Sequence, residues 1–150
     1  AADQLNIRAP SLYEHFPDKE ALEVAIIVDG FKEAAKKFEA AEANAADPWA
    51  TFAARYRDFA TSHPHVYRLM TERPLPRGQL PAGLEARTAA PLLRATGDPA
   101  RARAAWAFLR GLTMLELNGR LPSDDLAGPA WHIGIQQFRP TPHKSGGNGR

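Results

Sequence analysis

Arg8, Ala9, Pro10 and Ser11, followed at helical spacing by Tyr13, His15 and Lys19, are residue types that converge on contact with duplex DNA. A guanidinium at position 8 can pair bidentately with a guanine, and Ala9 and Pro10 can lie against a thymine methyl. Ser11 adds a small hydrogen-bonding group. Tyr13, His15 and Lys19 are donors suited to phosphate oxygens, with Lys19 placed in the first turn of the following helix, whose free N–H groups also favour an anion. On the plainer reading, Tyr13 and His15 only cover the surface of a small domain.

Bond-making chemistry has little to build on. The five histidines are scattered; only His63 and His65 are neighbours, and they straddle Pro64 without a carboxylate at ligand spacing, so no metal is expected. No phosphate loop, nucleophile elbow or dinucleotide fingerprint is present. Glu116 within an apolar helix is a candidate buried acid, although pairing with Arg110, Arg120 or a donor on another chain explains it more simply. The protein is therefore expected not to be an enzyme and to need no cofactor. A binding pocket has better support. Tyr56, Phe59, Met70, Trp106 and Leu109, with Arg110 and Thr113, supply large apolar surface and a few polar anchors, which suits an apolar or aromatic small molecule. Aromatic residues at helical spacing also do nothing more than pack.

The elements that must position these residues are all helical. Leu12 and Phe16 give the inner face of a short helix that Pro17 ends. Asp18 then opens a long helix to about Asn44, with Val24, Ile27, Val28, Phe31, Ala35 and Phe38 at three-and-four spacing. Asp47-Pro48 starts a helix that reaches about Ser62, and Asp98-Pro99 starts one that reaches Asn118; each is an aspartate cap followed by proline in the first turn. Shorter helices are predicted over His65 to Thr71, over Ala82 to Thr96 with a bend or restart near Pro91, and over Ser123 to about Phe138. Arg73 to Pro81 holds three prolines and a glycine and reads as a loop. Trp106 to Leu117 is apolar around its whole circumference and needs cover on every side, one of which a second copy of the chain could provide.

Composition limits the classes further. With 150 residues, 44% hydrophobic and 24% charged, the chain can bury a real core. It has no cysteine and no apolar run long enough to span a membrane, and without a signal peptide a cytoplasmic location is expected. The formal charge is +2, yet Arg139, Lys144 and Arg150 carry +3, leaving residues 1–138 at −1. Charge alone thus gives no reason to expect a nucleic-acid partner.

Ile7, Ser11, Leu12, Tyr13, His15, Phe16, Lys19 and Leu22 fill the pattern V-S-x-x-[ST]-L-Y-x-[HY]-F-x-x-K-x-x-L, and through it the chain resembles the tetracycline-repressor (TetR) family of transcriptional regulators. Arg8 departs from it, standing where the family has a Ser or Thr cap. Trp106 to Arg120 is similar to the subgroup with a WHG-type C-terminal domain, again with one departure, Arg110 in place of the usual His before Gly111.

The resemblance implies an all-α fold: residues 1–44 as the C-terminal part of a helix-turn-helix head plus a connecting helix, 45–138 as a ligand-binding and dimerisation body, and 139–150 as a disordered tail. It implies a homodimer formed by the last two helices, for which Phe108, Leu112, Leu115, Trp131, Ile135 and Phe138 are the candidate contacts. It also implies a repressor of a palindromic double-stranded operator, relieved by a small effector. Only the end of a bracing first helix fits in Ala1 to Leu5, so this stretch by itself is expected to bind operator poorly; the alternative is a helical ligand-binding and dimerisation module without DNA activity.

Overall fold

The computed structural model describes residues 16–140, which form six α-helices, one short 3-10 turn and no strand. The first, α1, spans Lys19–Glu42. The Asp18 side chain accepts the Ala21 N–H at 2.8 Å and Glu20 stands in the first turn, so the helix opens with one orphan donor satisfied and an acid at its positive end. At about 1.5 Å per residue, α1 runs about 36 Å and buries Ile27, Gly30, Ala34, Ala35 and Phe38 along one face.

Helix α2 (Pro48–Ser62) and helix α3 (Pro64–Thr71) meet at His63. Pro64 has no N–H to continue α2, so His63 leaves helical geometry and becomes the joint between the two. Its N–H still donates to the Phe59 carbonyl at 3.0 Å, and its own carbonyl accepts from the Tyr67 N–H at 2.9 Å. The corner therefore keeps its backbone hydrogen bonds.

Helix α4 (Leu84–Thr96) is bracketed by left-handed glycines, Gly83 at φ 79° and Gly97 at φ 89°. It begins later than the expected Ala82 because Gly83 turns the chain first. Pro91 does not restart it: the helix is assigned without interruption, with Pro91 buried. Helix α5 (Pro99–Leu117) is capped by Asp98, which accepts the Arg101 N–H at 2.8 Å. It ends in a Schellman motif, in which Arg120 N–H reaches the Leu115 carbonyl, Gly119 N–H reaches that of Glu116, and Gly119 adopts φ 62°.

The last helix, α6, covers Ala127–Gln137 rather than starting at Ser123. A start at Ser123 would carry Pro129 past the first turn, where it costs a hydrogen bond; beginning at Ala127 leaves Pro129 where N–H groups have no helical partner. Asp124 instead accepts the Leu126 N–H at 3.1 Å and holds the approach as a turn. Arg139, expected to open a disordered tail, is anchored: its guanidinium donates to Asp47 Oδ2 at 2.7 Å and its carbonyl accepts from Arg101 at 3.0 Å.

Helix α2 lies at the centre and packs on all five others. Trp49, Phe52, Ala53, Tyr56, Phe59 and Ala60 are its buried residues, and Phe38 of α1 tilts against Phe52 at 4.5 Å between ring centroids. Trp49 donates its indole N–H to the Ile135 carbonyl at 2.8 Å, which docks the end of α6 on the start of α2.

Candidate functional site

Arg8, Ala9, Pro10, Ser11, Tyr13 and His15 lie outside the described residues. Lys19, the remaining candidate for contact with DNA, stands in the first turn of α1 with its side chain in solvent and its Nζ 4.0 Å from Glu23. Arg73, just beyond α3, pairs with the same Glu23 at 3.0 Å. Two cations thus flank one carboxylate near the start of α1.

The densest group of unusual polar side chains lies where α2, α3 and α5 meet. Tyr56 of α2 and Tyr67 of α3 are buried and share a hydroxyl–hydroxyl hydrogen bond, with the rings edge to face at 5.6 Å. Burial pushes the hydroxyl pKa of both upward, with the partner hydroxyl adding to the rise at Tyr56 and opposing it at Tyr67, so both are phenols at any physiological pH. Arg110 of α5 donates through Nη2 to the Thr71 carbonyl at 2.5 Å, close enough for its charge to act on both tyrosines. The Arg110 Nε–H is enclosed without a partner, as is the hydroxyl of fully buried Thr113, one turn further along α5. Trp106, one turn before Arg110 on α5, keeps half of its own surface, 51%, in solvent.

Of the pocket residues expected from sequence, Tyr56, Arg110 and Thr113 come together in this way, with Trp106 one turn before Arg110 on α5, whereas Met70 lies on the side of α3 that faces Gly30 of α1. Leu109 is wholly enclosed as core. Phe59 lies apart from them: it stacks on His63 at 5.2 Å, and the two line a cleft of about 300 Å³ together with Glu33, Lys36 and Lys37. Sequence reading missed Tyr67 because its helix is only eight residues long and Val66, Leu69 and Met70 claimed its apolar face. A usable signal was there: one tyrosine amid those residues needs a partner for its hydroxyl. It also missed Arg57, whose guanidinium makes a two-bond pair with Glu116 at 2.9 and 2.5 Å and lies 5.1 Å from the centre of the Trp131 ring. Glu116 is thereby a paired surface acid rather than a buried one.

The residues expected at the dimer contact are mostly engaged with their own chain. Trp131 is 8% exposed and packs against Phe108 at 5.6 Å; Phe108 in turn meets Phe138 at 5.7 Å and fills the space a side chain at Gly134 would need. These residues, with Ile135 and Leu112, serve their own core. A tryptophan face-to-edge with its own chain has little surface to offer a second one. Leu115 alone of the six is an exposed large apolar side chain, joined by Trp106 of α5 and Leu126 and Ile133 at α6. Space beside Gly111 is open. No cluster able to hold a metal ion occurs among the described residues, and no helix there is long and apolar enough to cross a membrane.

Comparisons with known proteins agree with this architecture. Residues 49–138 match a domain family described as the tetracyclin repressor-like C-terminal domain. No curated protein sequence matches. Among solved structures, a protein inferred to be regulatory, SCO4313, superposes with a TM-score of 0.69 at 24% identity, over 91% of this chain and 81% of that one. A protein of unknown function from Rhodococcus sp. RHA1 gives 0.66 at 22% identity, over 92% and 81%. Identities this low carry the fold and nothing finer.

Proposed function

Since the chain belongs to the tetracycline-repressor-like family of transcription regulators, we propose that it is a repressor that binds a palindromic operator as a homodimer and lets go when a small effector enters the α2–α3–α5 junction. The supporting observation is the double attachment of α3. One side of this short helix gives Tyr67 and the Thr71 carbonyl to the polar cluster. The other side lies so close on α1 that a methyl at Gly30 would fall 2.6 Å from Met70 Sδ and 2.7 Å from Val66 Cγ1. Arg73, directly after α3, ties it to Glu23 near the start of α1.

An effector that rearranges the tyrosine pair therefore has a short mechanical path to α1, through which a head carrying Arg8 to His15 and Lys19 is repositioned. The effector must prefer the shifted state, because a ligand moves an equilibrium only by its differential affinity. Exposed apolar side chains on the outer faces of α5 and α6 suit a second copy, and two heads set about 34 to 36 Å apart would meet successive major grooves. The experiment is a gel shift of the full chain against duplexes from the region upstream of its own coding sequence, comparing wild type with Arg8→Ala and Tyr13→Ala. Loss of the retarded band in both variants is expected. A wild-type chain that dimerises yet retards no duplex would instead favour a ligand-binding module without DNA activity.

A further inference from the structure

We infer that the effector of this site carries a carboxylate, or an equivalent anionic oxygen group, read by Arg110 and Thr113 with the tyrosine pair. The inference rests on the reading of the α2–α3–α5 junction as the effector site and adds the charge of its ligand.

Three observations converge on it. First, Arg110 carries a charge that no acid answers among the described residues. Glu116 is taken by Arg57 and Glu72 by Arg68, and the one bond of Arg110 is to a neutral carbonyl. A cation partly withdrawn from water without a counter-charge is costly, and an entering anion offsets that cost. Second, the unpartnered atoms of the junction are donors: the Arg110 Nε–H and the hydroxyl of Thr113. Third, the two phenols share a single hydrogen bond, which uses one O–H and leaves the other free to donate. A site rich in donors calls for an acceptor-only group, and a carboxylate presents two oxygens with about four lone-pair directions. An ammonium group would meet Arg110 and be repelled; an alcohol would answer one donor and leave the rest. The half-exposed indole of Trp106, one turn before Arg110 on α5, gives the apolar remainder of the ligand a surface and gives the site its route to solvent.

The test uses the full chain, isothermal titration, and two shape-matched probe series: straight-chain alkanoates of about six to twelve carbons with 4-phenylbutyrate, and their alcohol counterparts with 4-phenylbutanol. Carboxylates are expected to bind about tenfold to a hundredfold more tightly than the matched alcohols, the range of a charge-assisted contact. Arg110→Met should remove that preference by weakening the carboxylates far more than the alcohols, and Thr113→Val should reduce it severalfold. If Arg110→Met loses its helical circular-dichroism signal, the change in preference across Thr113→Val decides. Alcohols binding as tightly as carboxylates, or a preference that survives these substitutions, overturns the anionic assignment and leaves the proposed effector site standing. Failure of both series to bind at millimolar concentration overturns the assignment and the effector site together.

Discussion

Hydroxyl groups and rings set the finest scale at which this molecule can be tested. Removing the Tyr67 hydroxyl with Tyr67→Phe strands that of Tyr56 in the interior, a loss of about 1–3 kcal/mol in urea unfolding. Replacing both tyrosines with phenylalanine removes donor and acceptor together, so the double variant should lose less than the two single losses added. Strict additivity would mean that the two hydroxyls do not depend on each other. His63 supplies a pH test. Burial, with the Lys37 charge, holds its pKa below the ordinary 6.5 against the Phe59 carbonyl and Glu33, which favour the charged ring, so the folded state prefers the neutral ring. Stability is then full above about 6.5, the unfolded value, and falls as pH drops from there through the lower folded value. Thermal melts at pH 7.5 and 5.0 should differ less in His63→Gln than in wild type; an equal difference would assign the acid sensitivity elsewhere. At this scale sequence reading reached Tyr56, Arg110 and Thr113 because buried polar types are conspicuous in an apolar helix. It did not reach Arg57, because a pairing between positions 57 and 116 depends on how two helices cross.

Helix boundaries were legible where chemistry is local. Asp18, Asp47 and Asp98 cap as expected, since the cap and the N–H it accepts lie within four residues, and at Asp47 and Asp98 a following proline adds to the signal. They were not legible where two local signals compete, as at Ser123 and Pro129, or where a neighbour decides, as at Pro91. Gly30 shows the same limit: only the structure reveals that α3 occupies the space beside it. Gly30→Ala improves helix propensity by about 1 kcal/mol yet forces a methyl against Val66 and Met70, for which overpacking costs about 1–3 kcal/mol. The variant should melt at a lower temperature, with Met70→Ala in the same chain recovering part of the loss. A higher melting temperature would show that α3 yields freely, and the proposed path from the tyrosine pair to α1 would lose its mechanical basis.

The whole molecule combines an interior closed by its own side chains with outer faces of α5 and α6 that are not. Leu115, Leu126 and Ile133 are 44%, 64% and 67% exposed, more greasy surface than isolated solvent-facing residues need. Gly111→Lys and Ile133→Lys should shift sedimentation from two chains to one while preserving helical signal; an unchanged sedimentation coefficient would move the proposed dimer contact elsewhere. What sequence could anticipate was that α5 is apolar all round. Which side faces inward was beyond it, since Trp131 and Phe108, the most interface-like residues, satisfy each other.

The central placement of α2 has a last implication. Every other helix leans on residues 48–62, so no proteolytic fragment lacking them keeps a cluster to condense around, and the amides of Phe52 to Ala60 should be the last in the molecule to trade hydrogen for deuterium. In an evolving lineage, side chains on the outer faces of the other helices can drift, but this one rod must stay as it is.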